Sequence, residues 1–426
     1  MKVGNPTSAM PIGVDLFAGA GGLSLGFEQA GFDVLAAVEY DPIHAATHEF
    51  NFPNCATICR SVADINGAYI RSHSKIGNRE IDAVFGGAPC QGFSMIGKRA
   101  LDDPRNQLVY HFVRIVSELK PKYFVFENVR GLTVGQHKLF LEEIIEAFTS
   151  AGYTVLKEYQ VLNAANFGVP QGRQRLFLMG SRKGCALPEY PAPTHKLPCK
   201  SLNLGFLDTT PTVWDAIGDL PEADDFDELL KRDWVSAKFK KPSAYARALR
   251  QAPNSTASEI LTSSMRTIHT TLSQKRFKAT PHGETEEVSR FLKLDPDGVC
   301  NTIRAGTATD RGAFTSPRPI HPYSPRCITV REAARLHSYP DWFRFHVTKW
   351  HGFRQVGNSV PPLLGQAVAS QILAALGLEY VPIKAGHAGD PHLLEMKMSA
   401  AAEYYDVPAT VIPARIRKAP AEPAYA

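Results

Sequence analysis

An alternation of short apolar runs with helical patterns, sustained from about residue 14 to residue 181, restricts the fold of this chain most. Residues 14–17, 34–38, 82–86, 123–127 and 176–179 are nearly continuous in apolar side chains and too short to be helices. Runs of this kind are strands covered on both faces. Between them Leu108, Phe112, Ile115, Val116 and Leu119 recur at helical spacing, with Pro121 as a stop. Residues 139–148 form a second amphipathic helix, ended by Gly152. Strands joined by crossover helices build an α/β, Rossmann-like doubly wound sheet, whose ligands sit at the carboxyl ends of the strands.

From about Cys185 onward periodicity is weak until Arg331, and Pro, Ser and Thr are frequent. The net charge of +5 over 426 residues conceals a segregation. Residues 222–228 hold five acids in seven positions, whereas residues 229–278 hold eleven Lys/Arg against two Asp/Glu, a local excess of +9. Such a run can be a solvated face. Interleaved with Trp234, Phe239, Tyr245 and many hydroxyl side chains, it reads better as a phosphate-contacting surface. Residues 363–376 return to a helical apolar pattern, and the stretch beyond 383, rich in Ala and Pro, reads as a loosely held tail. No apolar run approaches the roughly 18 residues of a membrane helix, and the first residues lack a signal-peptide core. Seven cysteines are too sparse for a disulfide framework, so a reducing, cytoplasmic location is expected.

The first strand runs into Phe17-Ala18-Gly19-Ala20-Gly21-Gly22 and then a helix, and Glu39 closes the next strand twenty residues after Gly19. Glycines let backbone approach a ligand at a helix N-terminus, and an acid at that spacing suits ribose hydroxyls. The pattern fits a nicotinamide dinucleotide or S-adenosylmethionine; Ser24 in place of a third glycine, and the aromatic Phe17, favour the second. A third strand ends Gly86-Gly87-Ala88-Pro89-Cys90-Gln91-Gly92-Phe93-Ser94, presenting a thiol at the sheet edge. A thiol there can be a nucleophile if cations stabilise its thiolate, although a single cysteine is commonly a small core residue. The next strand ends Glu127-Asn128-Val129, and a carboxylate closing an apolar strand is a poor core residue. Gln171-Gly172-Arg173-Gln174-Arg175 then offers two forked cations that can point one way.

With these elements in this order, the chain resembles the DNA cytosine-5 methyltransferases. Asp64-Ile65, Arg105-Asn106-Gln107-Leu108, Arg331-Glu332-Ala333-Ala334-Arg335-Leu336 and Gln355-Val356-Gly357-Asn358-Ser359-Val360-Pro361-Pro362 complete the match, which runs from about Asp15 to Leu376. Ala88 and His337 stand where the family often has proline and glutamine. The resemblance implies that Cys90 adds to carbon 6 of a flipped-out cytosine. It implies that Glu127 binds and protonates ring nitrogen 3, and that Arg173, with Arg175 behind it, positions Cys90 and the base. It implies that S-adenosyl-L-methionine is the methyl donor and S-adenosyl-L-homocysteine the product. Phe17, Gly19, Gly21, Gly22, Leu23, Glu39, Tyr40, Asp64, Ile65, Leu108, Asn358 and Ser359 would form the cofactor pocket. Gln91, Ser94, Lys98, Arg99 and Arg105 would belong to a loop that closes on duplex DNA, and no metal is implied.

The expected organisation is a catalytic and cofactor-binding domain over residues 1–185, completed by 345–380, then a smaller, irregular target recognition domain over 186–330 and a tail over 381–426. Within the recognition domain Arg304 and Arg311 are candidate guanine readers, with phosphate contact as the alternative. The expected protein is a monomeric cytoplasmic modification enzyme, associated with the nucleoid through DNA. A restriction endonuclease could share its site without touching it. An RNA (tRNA) cytosine-5 methyltransferase and a non-catalytic DNA-binding regulator on the same fold are the rival readings. His44, His48, Cys55 and Cys59 could be read as a zinc site, but an ordinary sheet-covering helix accounts for residues 42–50.

Overall fold

The structure, a computed structural model, describes residues 10–89, 107–135, 137–198, 207–250, 259–306, 318–380 and 388–412. Five strands run parallel: β1 (Ile12–Leu16), β2 (Asp33–Glu39), β3 (Ala56–Cys59), β4 (Ala83–Gly86) and β5 (Tyr123–Val129), in the order β3-β2-β1-β4-β5. The connections carry α1 (Gly22–Gln29), α2 (Pro42–Asn51), α3 (Gly67–Ser72) and α4 (Gln107–Leu119). The chain moves outward from β1 to β3 and then returns to lay β4 on the other side of β1. This switch in direction opens a crevice at the carboxyl ends of β1 and β4. Alternate residues of the strands feed opposite cores. Val84, Phe124 and Phe126 join Val14 and Leu16 on one face, while Phe85 and Val125 join Ala37 and Phe177 on the other.

After α5 (His137–Ser150) the sheet stops being parallel. β6 (Tyr153–Val155) and β7 (Gln160–Asn163) both pair antiparallel with β8 (Gln174–Arg182), which is itself antiparallel to β5. The link between β7 and β8 contains one 3-10 turn, Ala164–Phe167, and no crossover helix, so β8 can only return in the opposite direction. The doubly wound sheet is therefore mostly, not wholly, parallel.

Residues 186–330 contain little regular structure. Two-residue strand pairs (His195–Lys196 with Asp208–Thr209, Val235–Ser236 with Ile260–Leu261) accompany α6 (Val213–Ile217), α7 (Ala244–Arg250) and α8 (Thr271–Ala279). Apolar residues of this segment, among them Val213, Leu229, Leu261 and Ile303, share one core with Leu25 of α1. The basic stretch is partly neutralised from outside: Arg250 pairs with Asp219 at 2.7 Å, Arg266 with Asp224 at 3.0 Å and Arg276 with Glu286 at 3.2 Å. The acidic run thus supplies counter-charge to Arg266.

Then follow α9 (Val330–Arg335), α10 (Lys349–Asn358) and α11 (Pro362–Ala375). α11 packs on α1 where two glycines meet; a Cβ on Gly26 would lie 2.8 Å from the Gly365 Cα. The described part of the expected tail, residues 388–412, departs from the expectation of a loosely held segment. Residues 388–412 contain a 3-10 turn (Pro391–Leu394) and α12 (Met398–Tyr404). Leu393, Leu394, Met396 and Ala401 bury against Ile43, Ala46 and Phe50 of α2. An Ala- and Pro-rich composition hid an amphipathic segment whose apolar face exists only once α2 is there to receive it.

Candidate active site

The crevice at the strand ends is a cavity of about 820 Å³, lined from β1, β2 and β5, the turns that follow β3 and β4, α4, α10 and the C-terminal segment. A volume of that order holds a nucleoside-sized ligand. Its floor is the turn between β1 and α1. Phe17 adopts φ 62° there, a conformation that disfavours a bulky side chain, and aims its ring at the cavity. Gly19, at φ 57°, donates its N–H to Glu39 Oε2 at 2.7 Å, and the Asp41 N–H donates to Oε1 at 2.8 Å. Burial pushes the Glu39 carboxyl up, and neighbouring His44 and the two backbone donors offset this in part. A side chain on Gly22 would strike the Val360 carbonyl, so the helix start can meet the loop after α10 only as glycine.

Asp15 lies under this turn, buried. Ser24 Oγ donates to its Oδ2 at 2.7 Å, while Oδ1 has no partner. Burial raises its carboxyl to about 8, with Ser24 pulling the other way. An orphaned buried carboxylate oxygen in a glycine-lined cavity fits a ligand that brings a cation, and Glu39 and Asp64 on the same wall fit hydroxyl and amino donors. A sulfonium-and-ammonium nucleoside such as S-adenosylmethionine has that set of groups. The residues present therefore fit the cofactor expected from the sequence.

The second half of the site is the β4–β5 edge. The Glu127 carboxylate lies over Gly87, where any Cβ would collide with it. Arg175 Nε approaches Glu127 Oε1 at 2.9 Å. Burial nonetheless holds the Glu127 carboxyl above its usual range, against the pull of Arg175 and Arg173. Asn128 Nδ2 donates to the Ala88 carbonyl at 3.1 Å, fixing the backbone that leads to Cys90.

The two arginines lie in the reverse of the expected arrangement. Arg175 faces Glu127 and lines the cavity, whereas Arg173 is fully buried behind it. Arg173 donates to the carbonyls of Ile303, Gly357 and Ser359, each at 2.8 Å. Those carbonyls belong to two separate stretches, so Arg173 is a clamp joining the sheet to residues 300–304 and to the end of α10. His337 supports the same joint. Gln171 Nε2 donates to its Nδ1 at 2.9 Å, so its Nε2–H donates to the Ser359 carbonyl at 3.1 Å. Burial holds this imidazole well below its usual value, hence neutral.

Phe17, Gly19, Gly22, Leu23, Glu39, Tyr40, Asp64, Leu108, Asn358, Ser359, Glu127 and Arg175 are brought together around the cavity. Gly21 and Ile65 are not in its wall. Gly21, at φ 101°, turns against Phe52, and Ile65 is buried in the core on one face of the sheet. The backbone of Arg304 touches Gly357, and its side chain is exposed beside the Arg173 clamp. Cys90, Gln91, Ser94, Lys98, Arg99, Arg105 and Arg311 lie outside the described residues. Reading the sequence missed Asp15, Arg354 and Ile412, which also line the cavity. Asp15 could have been found, because an acid inside an apolar strand carries the same signal as Glu127. His48, weighed as a metal ligand, instead meets Ser24 Oγ at 3.0 Å and Thr57 Oγ1 at 3.1 Å.

Known proteins resemble this chain along most of its length. A family model described as C-5 cytosine-specific DNA methylase matches residues 13–374. The chain is 60% identical over 417 residues to the Type II methyltransferase M.XorII of Xanthomonas oryzae pv. oryzae, covering 96% of this chain and 95% of that one. It is 35% identical over 365 residues to the Type II methyltransferase M1.HphI of Haemophilus parahaemolyticus, covering 84% and 86%. A solved structure described as a DNA modification methyltransferase encoded within an E. coli prophage matches with a TM-score of 0.69 at 34% identity, over 86% of this chain and 99% of that one. S. pombe Dnmt2, at 16% identity and a TM-score of 0.54, covers 86% of this chain and shares the fold.

Proposed function

The chain belongs to the C-5 cytosine-specific DNA methylases, and from that premise we propose that it methylates cytosine within a specific duplex sequence through a covalent adduct at Cys90. The observation that carries this reading is the meeting, at one sheet edge, of a glycine-built cofactor cavity with the Glu127–Arg175 pair.

Carbon 6 is inaccessible in a stacked base, so the cytosine is flipped out, at a cost of a few kcal/mol. The Cys90 thiolate forms a bond to carbon 6. Glu127, whose carboxyl burial holds above its usual range, donates a proton to nitrogen 3, so that electron density moves to carbon 5 rather than accumulating on the ring. Arg175 orients the Glu127 carboxylate and balances its charge once the proton has left. Arg173 keeps the recognition segment in register with this edge. When bound, S-adenosylmethionine supplies an electrophilic methyl group and leaves as S-adenosylhomocysteine. Once carbon 5 carries the methyl group, a base removes its proton, nitrogen 3 returns its proton to Glu127, the ring double bond re-forms, and Cys90 departs as thiolate.

Phe17, Glu39, Asp64, Leu108 and Asn358 would hold the cofactor, with Asp15 facing its cationic end. Residues 186–330 would read the target sequence, with Arg304 near the opened base and the loop that carries Ser94, Lys98 and Arg99 closing on the phosphates. The names of the Type II relatives support the further reading that the methylated site is also that of a cognate endonuclease. Bisulfite sequencing of DNA from cells expressing the protein tests the reading and reveals the site. Methylation of tRNA but not duplex DNA would overturn it in favour of an RNA enzyme. Failure to trap an adduct on 5-fluorocytosine DNA with cofactor present would favour a non-catalytic regulator.

A further inference from the structure

Residues 388–412 reach the cofactor cavity, and they get there on an anchor of their own. The Gly389 N–H donates to the Phe50 carbonyl at 2.7 Å. The Tyr404 and Tyr405 hydroxyls donate to the two oxygens of Glu49, each at 2.7 Å. With the apolar contacts to α2, these bonds dock residues 388–405 without any help from the cavity. The chain then turns at Asp406, where φ is 51°, and runs to the cavity mouth.

At the mouth its bonds go to residues that themselves line the cavity. Arg60 Nη1 donates to the Tyr405 carbonyl at 2.8 Å, and its Nη2 lies 3.8 Å from the Asp406 carboxylate. The Tyr40 hydroxyl donates to the Val411 carbonyl at 2.6 Å, and the half-buried side chain of Ile412 is part of the cavity wall. Tyr40 directly follows Glu39, and Arg60 lies four residues before Asp64, so this is the ribose–adenine end. An exposed tyrosine held by a distant carbonyl has lost rotamer freedom before a ligand arrives, and an apolar side chain at the rim gains cover when one does.

We propose that the C-terminal segment completes the cofactor site: Ile412 covers the ribose–adenine end of S-adenosylmethionine, and the Val411 carbonyl holds Tyr40 against it. The segment thereby sets how tightly cofactor and product are held. This rests on the reading of the cavity as the cofactor site. Ile412 is a binding residue; Val411 is a positioning residue that acts through Tyr40.

The test uses full-length protein carrying Ile412→Ala, Ile412→Val, Tyr40→Phe or the Ile412→Ala/Tyr40→Phe pair. Calorimetry without DNA measures binding of S-adenosylmethionine and S-adenosylhomocysteine, and thermal melting without ligand monitors the fold. Ile412→Ala and Tyr40→Phe should each weaken both ligands about fivefold, from lost apolar cover and one lost hydrogen bond respectively. Ile412→Val should stay within about twofold, because most of its apolar cover remains. In turnover the loss should fall on KM for the cofactor rather than on kcat. Wild-type affinity in Ile412→Ala and in the pair would overturn the proposal alone. Loss of affinity that tracks a fall in the unliganded melting temperature would also overturn it, in favour of a folding role. No binding by the wild-type protein would overturn the cofactor reading, and this proposal with it.

Discussion

The carboxyl edge of the sheet and the seam around α9 both bury charge, and they treat it in opposite ways. At the edge, Asp15 keeps one oxygen without a partner, and Glu39 has backbone donors but no cation within ion-pair distance among the described residues. At the seam, Arg326 pairs with Glu222 at 2.7 Å and with Glu332 at 2.8 Å. Arg335 pairs with Asp341 at 2.5 Å and with Asp219 at 3.2 Å, and Arg331 donates to three carbonyls and to Thr262. The carboxyl groups record the difference. Burial lifts Asp15 to about 8, whereas at Glu332 the adjacent Arg326 outweighs burial and brings it to about 2. A buried group left short of partners awaits a ligand; one fully paired holds elements together.

Substitutions at the edge should therefore remove activity and spare the fold, and those at the seam should do the reverse. Cys90→Ser should have the largest effect, lowering methyl transfer by on the order of 10³-fold or more while DNA retention and melting temperature persist. Near-normal methylation by that variant would sink the covalent reading. Arg335→Ala removes the buried ion pairs to Asp341 and Asp219, leaving Asp219 to Arg250, and should cost about 3 kcal/mol in urea unfolding. A stability unchanged from wild type would erase the contrast between the regions.

Glu127→Gln should lower kcat by about 10²–10³-fold. Proton donation by Glu127, as proposed, together with the burial that raises its carboxyl, predicts that wild-type kcat also declines as pH rises. The smallest effect is expected at Asp15. Its folded-state value lies above the unfolded one, so its contribution to stability is present at acid pH and is lost as pH rises towards about 8. Asp15→Asn should thus gain about 1–2 kcal/mol over wild type at pH 9 and nothing near pH 4. Glu332 has the opposite sign: its contribution is present above the unfolded carboxyl value and lost only as pH falls towards about 2. An unfolding series from pH 3 to 9 on wild type and Asp15→Asn separates the two.

β1, β2, β4 and β5 were legible because each is a short apolar run, and the last residues of β2 and β5 were legible because a polar group there has no other reason to be apolar-flanked. Glu39 and Glu127 were found in that way. β3, β6 and β7 were not, since three or four residues carry too little periodicity to register. The order of Arg173 and Arg175 was read backwards for a different reason. Both alternate to one side of the chain, and nothing local says that the carbonyls of Ile303, Gly357 and Ser359 will converge on the first.

The amino-acid sequence by itself determined the family, the parallel frame of the sheet, the glycine-rich loop and the carboxylate that closes β5, because each is written in neighbouring residues or in the ends of strands. Only the tertiary structure decided which arginine meets Glu127, that Asp15 is left with an open oxygen, and that residue 412 closes a cavity begun at residue 15. Those facts depend on contacts between stretches from tens to hundreds of positions apart. Such contacts are fixed by burial and hydrogen bonding in three dimensions, not by the periodicity of the chain.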